Sequence, residues 1–401
     1  MIPSRSERFD AVVVGGGPAG ATAACELALN GRRVALLDRA GRIKPCGGAV
    51  PPRAIQEFAI PDEMLVAKIR TARIISPTAK AVDIPIEGGF VGMVDRGPFD
   101  EWLRERAAAS GAVRHTGTFE GLTREDDGTV IVHYRPGPGH AKDALETIRT
   151  RTVIGADGAN SAVARQEVPG GDETPFVFAY HEIVEAPDPG TVDYDGSRCD
   201  VYYRGSVSPD FYGWVFPHGR TASIGTGSAH KGFSLRNSTA ALRETAGLDR
   251  ARTLRHEGAP IPLHPLARWD NGRDVVLAGD AAGVVAPASG EGIFYAMLGG
   301  RLAAEAVDLF CADGDVRALA QARRRFMRAH GNVFWILGMM QRYWYTNDER
   351  RERFVAICRD KDVQELTFDA YMNKELVKAK PLAHVRIFFK NIAHLTGLVP
   401  A

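Results

Sequence analysis

The sequence has almost no excess charge and few cysteines. Its 50 Lys and Arg residues nearly balance 49 Asp and Glu residues, for a formal net charge of +1. No overall positive field draws such a chain onto nucleic acid, so we expect no nucleic-acid partner. The five cysteines are odd in number, widely spaced and include no C-x-x-C pair. We therefore expect a reducing compartment, with neither a disulfide framework nor a bound metal.

The sequence also lacks a long hydrophobic run. The most apolar late segment, VFWILGMMQRYWY from Val333, is interrupted by Gln341 and Arg342, well short of the ~20 apolar residues that span a bilayer. The opening MIPSRSERFD shows no leader or presequence pattern, so we expect neither export nor organelle import. With 45% hydrophobic and 25% charged residues, the composition is typical of a globular chain, which we place in the cytoplasm.

The order of apolar patterns predicts the fold. Two short apolar runs, Phe9–Val14 and residues 33–37, flank an Ala-rich segment with helical spacing, Pro18–Leu29, which is a βαβ unit. Residues 176–266 are rich in Tyr, Val, Thr, Gly and Pro with alternating stretches, which predicts an antiparallel sheet. From Gly292 onward the pattern turns helical. We predict an α/β plus β fold, in which a Rossmann-like nucleotide-binding domain carries an inserted antiparallel-sheet substrate domain and a helical C-terminal region.

The predicted boundaries follow these patterns and make the first domain discontinuous. The nucleotide-binding domain comprises residues 1–72, 96–170 and 268–310. The substrate domain comprises residues 73–95 and 171–267, and the helical region residues 311–401.

A glycine-rich turn joins the first strand to the first helix. In VVVGGGPAG, residues Gly15, Gly17 and Gly20 have the G-x-G-x-x-G spacing, which permits a tight turn, close approach of a pyrophosphate, and close helix packing. Asp38 ends the second strand, where a carboxylate accepts a hydrogen bond from an unphosphorylated adenosine ribose. The ligand is therefore FAD or NAD rather than NADP. The alternative is a glycine-rich turn without a ligand.

Two later motifs resemble those of flavoproteins of the para-hydroxybenzoate hydroxylase type. GADGANSAVAR contains Asp157, and VLAGDAAGVVAPASGEGI contains Asp280. The resemblance implies FAD, with Asp280 on the ribityl chain and the turn from Pro287 to Gly292 against the flavin ring. A helix starting near Gly292 would direct its positive end at the flavin and stabilise the anionic reduced form. Alternatively, Asp157 is an Asx-turn residue without a ligand.

Two further segments resemble geranylgeranyl reductases, within the branch of chlorophyll and bacteriochlorophyll biosynthesis. RIKPCGGAVPPRA contains the family's P-C-G-G segment, and SPDFYGWVFPHG matches its P-x-x-Y-x-W-x-F-P motif. The resemblance implies reduction of three isolated double bonds of a geranylgeranyl group to phytyl. The substrate would be the free diphosphate or the group attached to chlorophyll or bacteriochlorophyll. No second glycine fingerprint follows, so NADPH would bind transiently as the reductant.

The aromatic motif also has a physical interpretation of its own. Alternate residues of a strand share a face, so Tyr212, Trp214 and Phe216 would form an aromatic wall for a long, flexible prenyl chain. The alternative is that these three rings form the core side of a sheet. We expect His218, at the end of this strand, to be solvated.

An isolated alkene needs both a hydride, which the family takes from reduced flavin, and a proton. Cys46 and Tyr212, or a water between them, are the candidate proton donors. Arg96 precedes a helix where the family has a flavin-contacting residue; alternatively it is an ordinary helix-start arginine. The cofactor contacts implied by motif and resemblance together are Gly15, Gly17, Ala19, Gly20, Asp38, Arg39, Cys46, Gly47, Gly48, Arg96, Asp157, Gly158, Gly279, Asp280, Pro287, Gly290, Gly292 and Ile293.

Two other functions remain open at this point: a flavin-dependent monooxygenase, which shares the FAD motifs, and a noncatalytic flavin-containing carrier of prenylated pigment. The segment LAHVRIFFKNIAHLTG has apolar residues on one helical face and cations on another. It is either a peripheral membrane helix, which would place the chain on the photosynthetic membrane, or the last core helix. The oligomeric state is left open.

Overall fold

A computed structural model describes residues 8–364, except 40, 42, 87–88, 138, 140, 142–143, 189 and 191–192. The helices and strands run in the order β1 (Phe9–Val14), α1 (Pro18–Leu29), β2 (Val34–Asp38), β3 (Ala49–Val50), α2 (Pro52–Glu57), β4 (Leu65–Ile69), β5 (Thr71–Ile75), β6 (Ala81–Pro85), β7 (Val91–Val94), α3 (Arg96–Ala109), β8 (Val113–Arg124), β9 (Val130–Pro136), β10 (Glu146–Gly155), α4 (Ala162–Glu167), β11 (Phe176–Glu185), β12 (Arg198–Tyr202), β13 (Gly213–His218), β14 (Thr221–Ser228), α5 (Leu235–Thr245), β15 (Thr253–Pro262), β16 (Val275–Leu277), α6 (Ile293–Asp313), α7 (Gln321–Trp344) and α8 (Asp348–Ile357).

The first of two units comprises residues 1–44, 96–175 and 261–332. Its sheet has five strands in parallel, in the order β8-β2-β1-β10-β16, and β9 pairs antiparallel with both β8 and β10. The central strands are apolar on both faces, as in a sheet covered by helices, and Ala11, Val12 and Val13 are fully buried. The predicted βαβ unit and Rossmann-like domain are confirmed.

Two helices of this unit approach each other closely at small residues. A side chain at Gly300 of α6 would lie 2.1 Å from the carbonyl oxygen of Ala19 in α1. Only glycine fits there, so the N-terminal part of α1 packs directly on α6. This packing holds in place the first turn of α1, which follows the glycine-rich turn.

The second unit comprises residues 45–95, 176–260 and 333–401. Its main sheet has the order β15-β11-β14-β13-β12-β5-β6, and β3, β7 and β4 form a separate antiparallel sheet. The pairs from β11 to β12 are antiparallel, and β12 pairs parallel with β5. One face of the main sheet forms an aliphatic cluster with α5. Its central members are Val184, Val215, Ala222, Ile224 and Leu242. The inserted antiparallel sheet is thus confirmed.

The contacts divide the chain differently from the predicted boundaries. Residues 45–72 belong to the second unit, because β4 pairs with β7 and β5 pairs with β12. The contacts place the helical residues up to 332 with the first unit and residues 333–364 with the second. Helical patterns alone do not show which sheet a helix covers. The segment 382–397, predicted as a membrane or core helix, lies outside the described residues.

Candidate functional site

The glycine-rich turn has the conformation that its sequence predicted. Gly15 has a φ of +104°, and a Cβ there would lie 2.3 Å from the carbonyl oxygen of Ala156. A Cβ at Gly20 would lie 1.8 Å from the carbonyl oxygen of Gly15, whereas one at Gly17 would meet nothing within 4 Å. Gly17 precedes α1 and offers no capping side chain. No side chain caps the first N–H groups of α1, which suits a pyrophosphate.

Asp38 lies at the carboxyl end of β2, beside this turn. A Cβ at Gly16 would lie 2.8 Å from the Asp38 carboxylate. Arg104 of α3 donates from Nη1 to Asp38 Oδ2 at 3.2 Å and to the carbonyl oxygen of Gly16 at 3.2 Å. Nothing in the sequence pattern singles out Arg104, because the pattern predicts the helix but not which of its polar residues faces the turn. Arg39 is exposed directly after β2.

Asp280 lies in a short 3₁₀ turn that follows β16. Its side chain is 7% exposed and forms an ion pair with Nζ of Lys44. A Cβ at Gly279 would lie 2.7 Å from Cβ of Ala19 in α1, and one at Gly292 would lie 3.8 Å from Asp280 Oδ1. Asp280 thus lies near the N-termini of both α1 and α6. Sequence reasoning noted Lys44 only as part of the P-C-G-G segment and missed its partner.

The turn before α6 is built from backbone hydrogen bonds. The N–H of Gly290 donates to the carbonyl oxygen of Ala286 at 2.8 Å, and the N–H of Ala286 to that of Glu291 at 2.9 Å. Glu291 Oε1 then accepts from the N–H of Phe294 at 2.9 Å. This carboxylate, which sequence reasoning also missed, offsets part of the positive end of α6. Pro287, within this hydrogen-bonded turn, and Ile293, after it, are both buried.

Asp157 makes local contacts. Its carboxylate accepts from Ser161 Oγ at 2.5 Å, from the N–H of Ala162 at 2.6 Å and from that of Val163 at 3.3 Å. Burial raises the pKa of Asp157 despite these bonds. This is the turn-and-cap interpretation left open by the sequence, so a cofactor contact by its carboxylate stays a prediction. Gly158 follows with a φ of +89° and open space around it.

Arg96, the first residue of α3, is buried and paired. Its Nε and Nη2 donate to the two carboxylate oxygens of Asp100 at 2.9 and 2.8 Å. The side chain is therefore held by an ion pair within its own helix, which also fits the alternative of an ordinary helix-start arginine. Its contact with flavin stays a prediction.

The second unit brings the predicted aromatic residues together on one face of the sheet. The ring centroids of Tyr212 and Trp214 are 6.1 Å apart, and those of Trp214 and Phe216 are 6.2 Å apart. The aliphatic cluster with α5 contains Val215 and so lies on the opposite face. Phe216 also packs against a smaller cluster that includes Met93, which is the core alternative for that one ring. The three residues' contact with a substrate stays a prediction.

The P-C-G-G segment lies against this aromatic face. A Cβ at Gly47 would lie 3.2 Å from the ring of Phe216, and the N–H of Gly48 donates to Sγ of Cys46 at 3.4 Å. Burial, with smaller contributions from neighbours that include Cys46, raises the pKa of Tyr212 well above its usual value. Cys46, Tyr212 and Phe216 therefore lie in one neighbourhood.

His218 is only partly exposed, whereas we expected it to be solvated. Burial lowers its pKa to about 4, and its Nδ1 lies 3.1 Å from the carbonyl oxygen of Phe216. The reason is tertiary, because Gly48 lies against the imidazole: a Cβ at Gly48 would be 2.6 Å from His218 Nε2. Among the described residues, no three His, Cys, Asp or Glu side chains form a group that could hold a metal ion.

The glycine turn, the free N-terminus of α1 and the carboxylates Asp38 and Asp280 fit a dinucleotide of the FAD type. This fold and site define the class of flavin-dependent oxidoreductases with a Rossmann-like domain.

A family model described as pyridine nucleotide-disulphide oxidoreductase matches residues 9–188. Two solved structures share the fold. A geranylgeranyl bacteriochlorophyll reductase-like protein from Thermoplasma acidophilum has a TM-score of 0.80 and 23% identity over 94% of this chain and 99% of that one. A flavin-dependent brominase has a TM-score of 0.73 and 16% identity over 96% and 99%.

Full-length relatives define the family more narrowly. The chain is 60% identical to a geranylgeranyl diphosphate reductase of Rhodobacter capsulatus over 98% of this chain and 99% of the relative. It is 36% identical to a chloroplastic geranylgeranyl diphosphate reductase of Oryza sativa, over 98% and 87%. A digeranylgeranylglycerophospholipid reductase of Methanoculleus marisnigri is 33% identical over 77% and 78%. The chain belongs to the geranylgeranyl reductase family of FAD-dependent oxidoreductases, as the resemblance implied.

Proposed function

We propose that the chain reduces three of the four double bonds of a geranylgeranyl group to give phytyl, with NADPH as the source of electrons. The substrate is geranylgeranyl diphosphate or the same group attached to chlorophyll or bacteriochlorophyll. The observation that carries the proposal is the row of Tyr212, Trp214 and Phe216 beside Cys46, on the sheet face opposite the aliphatic cluster with α5. Aromatic rings bury a flexible alkene chain without demanding directional bonds, so the chain can shift between turnovers.

The residues of the first unit suit the binding of FAD. The N–H groups at the start of α1 would bind the pyrophosphate, Asp38 the adenosine ribose, and Asp280 the ribityl chain, exchanging some of its contact with Lys44. Bound FAD supplies the hydride chemistry that no side chain offers. For each double bond, one hydride and one proton add across the two alkene carbons, and one NADPH is oxidised to NADP⁺.

The proton has to come from the protein or from a water it holds. Burial raises the pKa of Tyr212, so its hydroxyl keeps its proton at neutral pH and gives it up reluctantly. A thiol is ordinarily a stronger acid than a phenol. We therefore assign the proton transfer to Cys46, and to Tyr212 the orientation of the alkene or of a water between the two groups.

Anaerobic incubation of the holoenzyme with NADPH and geranylgeranyl diphosphate, followed by mass analysis, tests the proposal. We expect products that gain two hydrogens per turn, up to three turns. Oxygen consumption with a hydroxylated product would identify a monooxygenase instead. Flavin that NADPH never bleaches, even with substrate present, would identify a noncatalytic carrier. A parallel reaction with geranylgeranylated bacteriochlorophyll distinguishes the two forms of the substrate.

We also propose that this cytoplasmic enzyme attaches peripherally to the photosynthetic membrane that holds prenylated pigment. No helix within the described residues is long and apolar enough to cross a bilayer. Four apolar side chains of α7 are nevertheless exposed at helical spacing: Trp335, Ile336, Met339 and Tyr343. The sequence of α7 contains five arginines and no acidic residue, which suits anionic headgroups.

Flotation with anionic vesicles tests this attachment. Trp335→Ser should reduce binding, whereas Leu29→Ser should not, although the two side chains are 66% and 67% exposed. A chain ending at Pro381 tests the segment 382–397. Loss of binding on truncation alone would assign the attachment to that segment rather than to α7.

A further inference from the structure

A row of polar side chains crosses four neighbouring strands of the main sheet in the second unit. Trp214 on β13 donates from Nε1 to Oγ of Ser223 on β14 at 3.1 Å. Ser223 Oγ lies 2.9 Å from Nδ1 of His181 on β11, and His181 Nε2 lies 3.1 Å from Glu257 on β15. Trp214, Ser223 and His181 are buried, with Ser223 fully so. None of the four is needed for FAD binding or for the proton step proposed above.

The chemistry of the two end groups fixes the direction of the outer hydrogen bonds. An indole N–H only donates and a carboxylate only accepts. With a neutral imidazole, Ser223 Oγ accepts from Trp214 and donates its own proton to Nδ1 of His181, which carries its proton on Nε2 and donates to Glu257. The neutral imidazole satisfies all of these bonds at once. A fully satisfied buried network of this kind holds its members in one orientation.

The strand register shows that this row leaves no space for a side chain at one neighbouring position, Gly225. His181 and Trp214 both lie opposite Gly225, one on each neighbouring strand. A Cβ at Gly225 would lie 2.5 Å from Cβ of His181 and 2.5 Å from Cζ2 of Trp214. Any larger residue would push the two rings off this part of the sheet, and their centroids are 6.3 Å apart.

Arg255 and His181 hold the Glu257 carboxylate at the far end of the row. Burial alone would raise the pKa of Glu257, but the hydrogen bond to His181 and the charge of Arg255 outweigh it and hold the pKa below its usual value. Arg255 forms ion pairs with Glu257 at 3.0 Å and with Asp95 at 3.3 Å. The carboxylate at the end of the row is therefore ionised at neutral pH and keeps the proton of His181 on Nε2.

A serine, a histidine and an acid in sequence also suggest a nucleophile. This interpretation fails on geometry, because Ser223 is fully buried and its oxygen already accepts from the indole. The row leads to an aromatic ring that stands next to Tyr212 and Phe216. The row of hydrogen bonds therefore acts on the orientation of Trp214.

We propose that Ser223 and His181 are positioning residues that fix the indole plane of Trp214, with Glu257 holding only the far side of the imidazole, and thereby set the affinity of the aromatic wall for the prenyl chain. The second half of this statement rests on the proposed function. We call this row of hydrogen bonds the relay. Its loss lets the indole rotate about its side-chain bonds. Binding of the prenyl chain then weakens, while FAD binding and flavin reduction by NADPH stay unchanged.

Two substitutions of His181 separate the relay from simple packing. In His181→Asn the amide oxygen replaces Nδ1 as acceptor for Ser223, whereas in His181→Gln the amide nitrogen replaces Nε2 as donor to Glu257. We expect His181→Gln and Ser223→Ala to disrupt the indole and His181→Asn to preserve it. Ser238→Ala is the matched control, because Ser238 is also buried in this unit but donates to the carbonyl oxygen of Val207.

The measurements use the FAD-loaded full chain. The indole N–H signal that disappears in Trp214→Phe identifies Trp214 in nitrogen–proton NMR spectra. It should shift in Ser223→Ala and His181→Gln and stay in place in His181→Asn and Ser238→Ala. The KM for geranylgeranyl diphosphate should rise about threefold to tenfold in the first two variants, the loss of one neutral hydrogen bond, at unchanged rates of flavin reduction.

Each outcome decides the matter. An unmoved indole signal in Ser223→Ala overturns the relay, and so does a shifted signal with an unchanged KM, because the row is then only structural. Equal melting temperatures of Ser223→Ala and Ser238→Ala show that the change is not a general loss of stability. If the wild-type chain reduces no prenyl substrate, the proposed function falls, and the indole signals alone still decide whether the relay orients Trp214.

Discussion

Lys44 forms an ion pair with Asp280, although 236 positions separate them in the chain. The lysine directly precedes the P-C-G-G sequence, and the aspartate lies near the N-termini of α1 and α6. The pair therefore places the Lys44 ammonium beside the residues of the first unit that fit FAD. Neither sequence motif indicated that the other was its partner.

Asp280→Ala should weaken the retention of FAD about tenfold to a hundredfold, the loss of one hydrogen bond to a charged group. The substitution also leaves Lys44 without its carboxylate. Flavin absorbance after gel filtration and titration of the apoprotein measure the effect. Asp313→Ala is the control, since that exposed carboxylate lies at the far end of α6. Full occupancy in Asp280→Ala would remove this residue from the site.

Asp38→Ala should also weaken FAD retention, because the carboxylate at the end of β2 would no longer accept from the ribose. Arg104→Met should weaken it less, since Arg104 holds the Asp38 carboxylate rather than the ribose itself. Titration of both apoproteins with FAD measures the order. The same Kd in Asp38→Ala and wild type would contradict the assignment of the adenosine ribose.

Trp214→Ala should impair turnover of the prenyl substrate more than flavin reduction by NADPH, since the aromatic face is assigned to the alkene chain alone. Single-turnover measurements of the two half-reactions separate these effects. Truncating a buried aromatic residue can also destabilise a fold by ~3 to 5 kcal/mol, so Trp214→Phe and a melting curve serve as controls. A folded variant with unchanged prenyl kinetics would favour the core alternative.

Cys46→Ser should keep FAD and slow alkene reduction, or stall it at partially reduced products, because a hydroxyl is a much weaker acid than a thiol. The rate of flavin reduction should not change. Product distribution by mass analysis and stopped-flow absorbance test the two halves of this statement. A wild-type rate and product pattern would leave Tyr212 or a water as the donor.

The stability of the fold should rise with pH between about 4 and 6.5, in part because of His218. Burial lowers the pKa of His218 in the folded state to about 4, whereas an unfolded histidine titrates near 6.5. Below pH 6.5 the unfolded state therefore binds the proton more readily, and folding is destabilised by up to roughly 3 kcal/mol at low pH. His218→Gln should flatten the dependence of the melting temperature on pH across this window. An unchanged slope would show that His218 does not contribute.

The sequence by itself determined the local chemistry of the cofactor site. The strand, the G-x-G-x-x-G turn and the helix are consecutive in the chain, so their geometry follows from glycine's access to positive φ and from the free N–H groups of a helix start. Strand alternation likewise placed Tyr212, Trp214 and Phe216 on one face. The resemblance to known families then indicated Asp280 and the P-C-G-G segment as parts of the site.

Only the tertiary structure decided which distant side chains meet. Arg104 of α3 reaches Asp38 at the end of β2. Glu291 caps α6, and Gly48 covers the imidazole of His218. The row from Trp214 to Glu257 depends on the order and register of four strands. Hydrophobic periodicity sets which face of an element is buried, but pairing across the fold depends on register and packing that a single sequence does not encode as a local pattern.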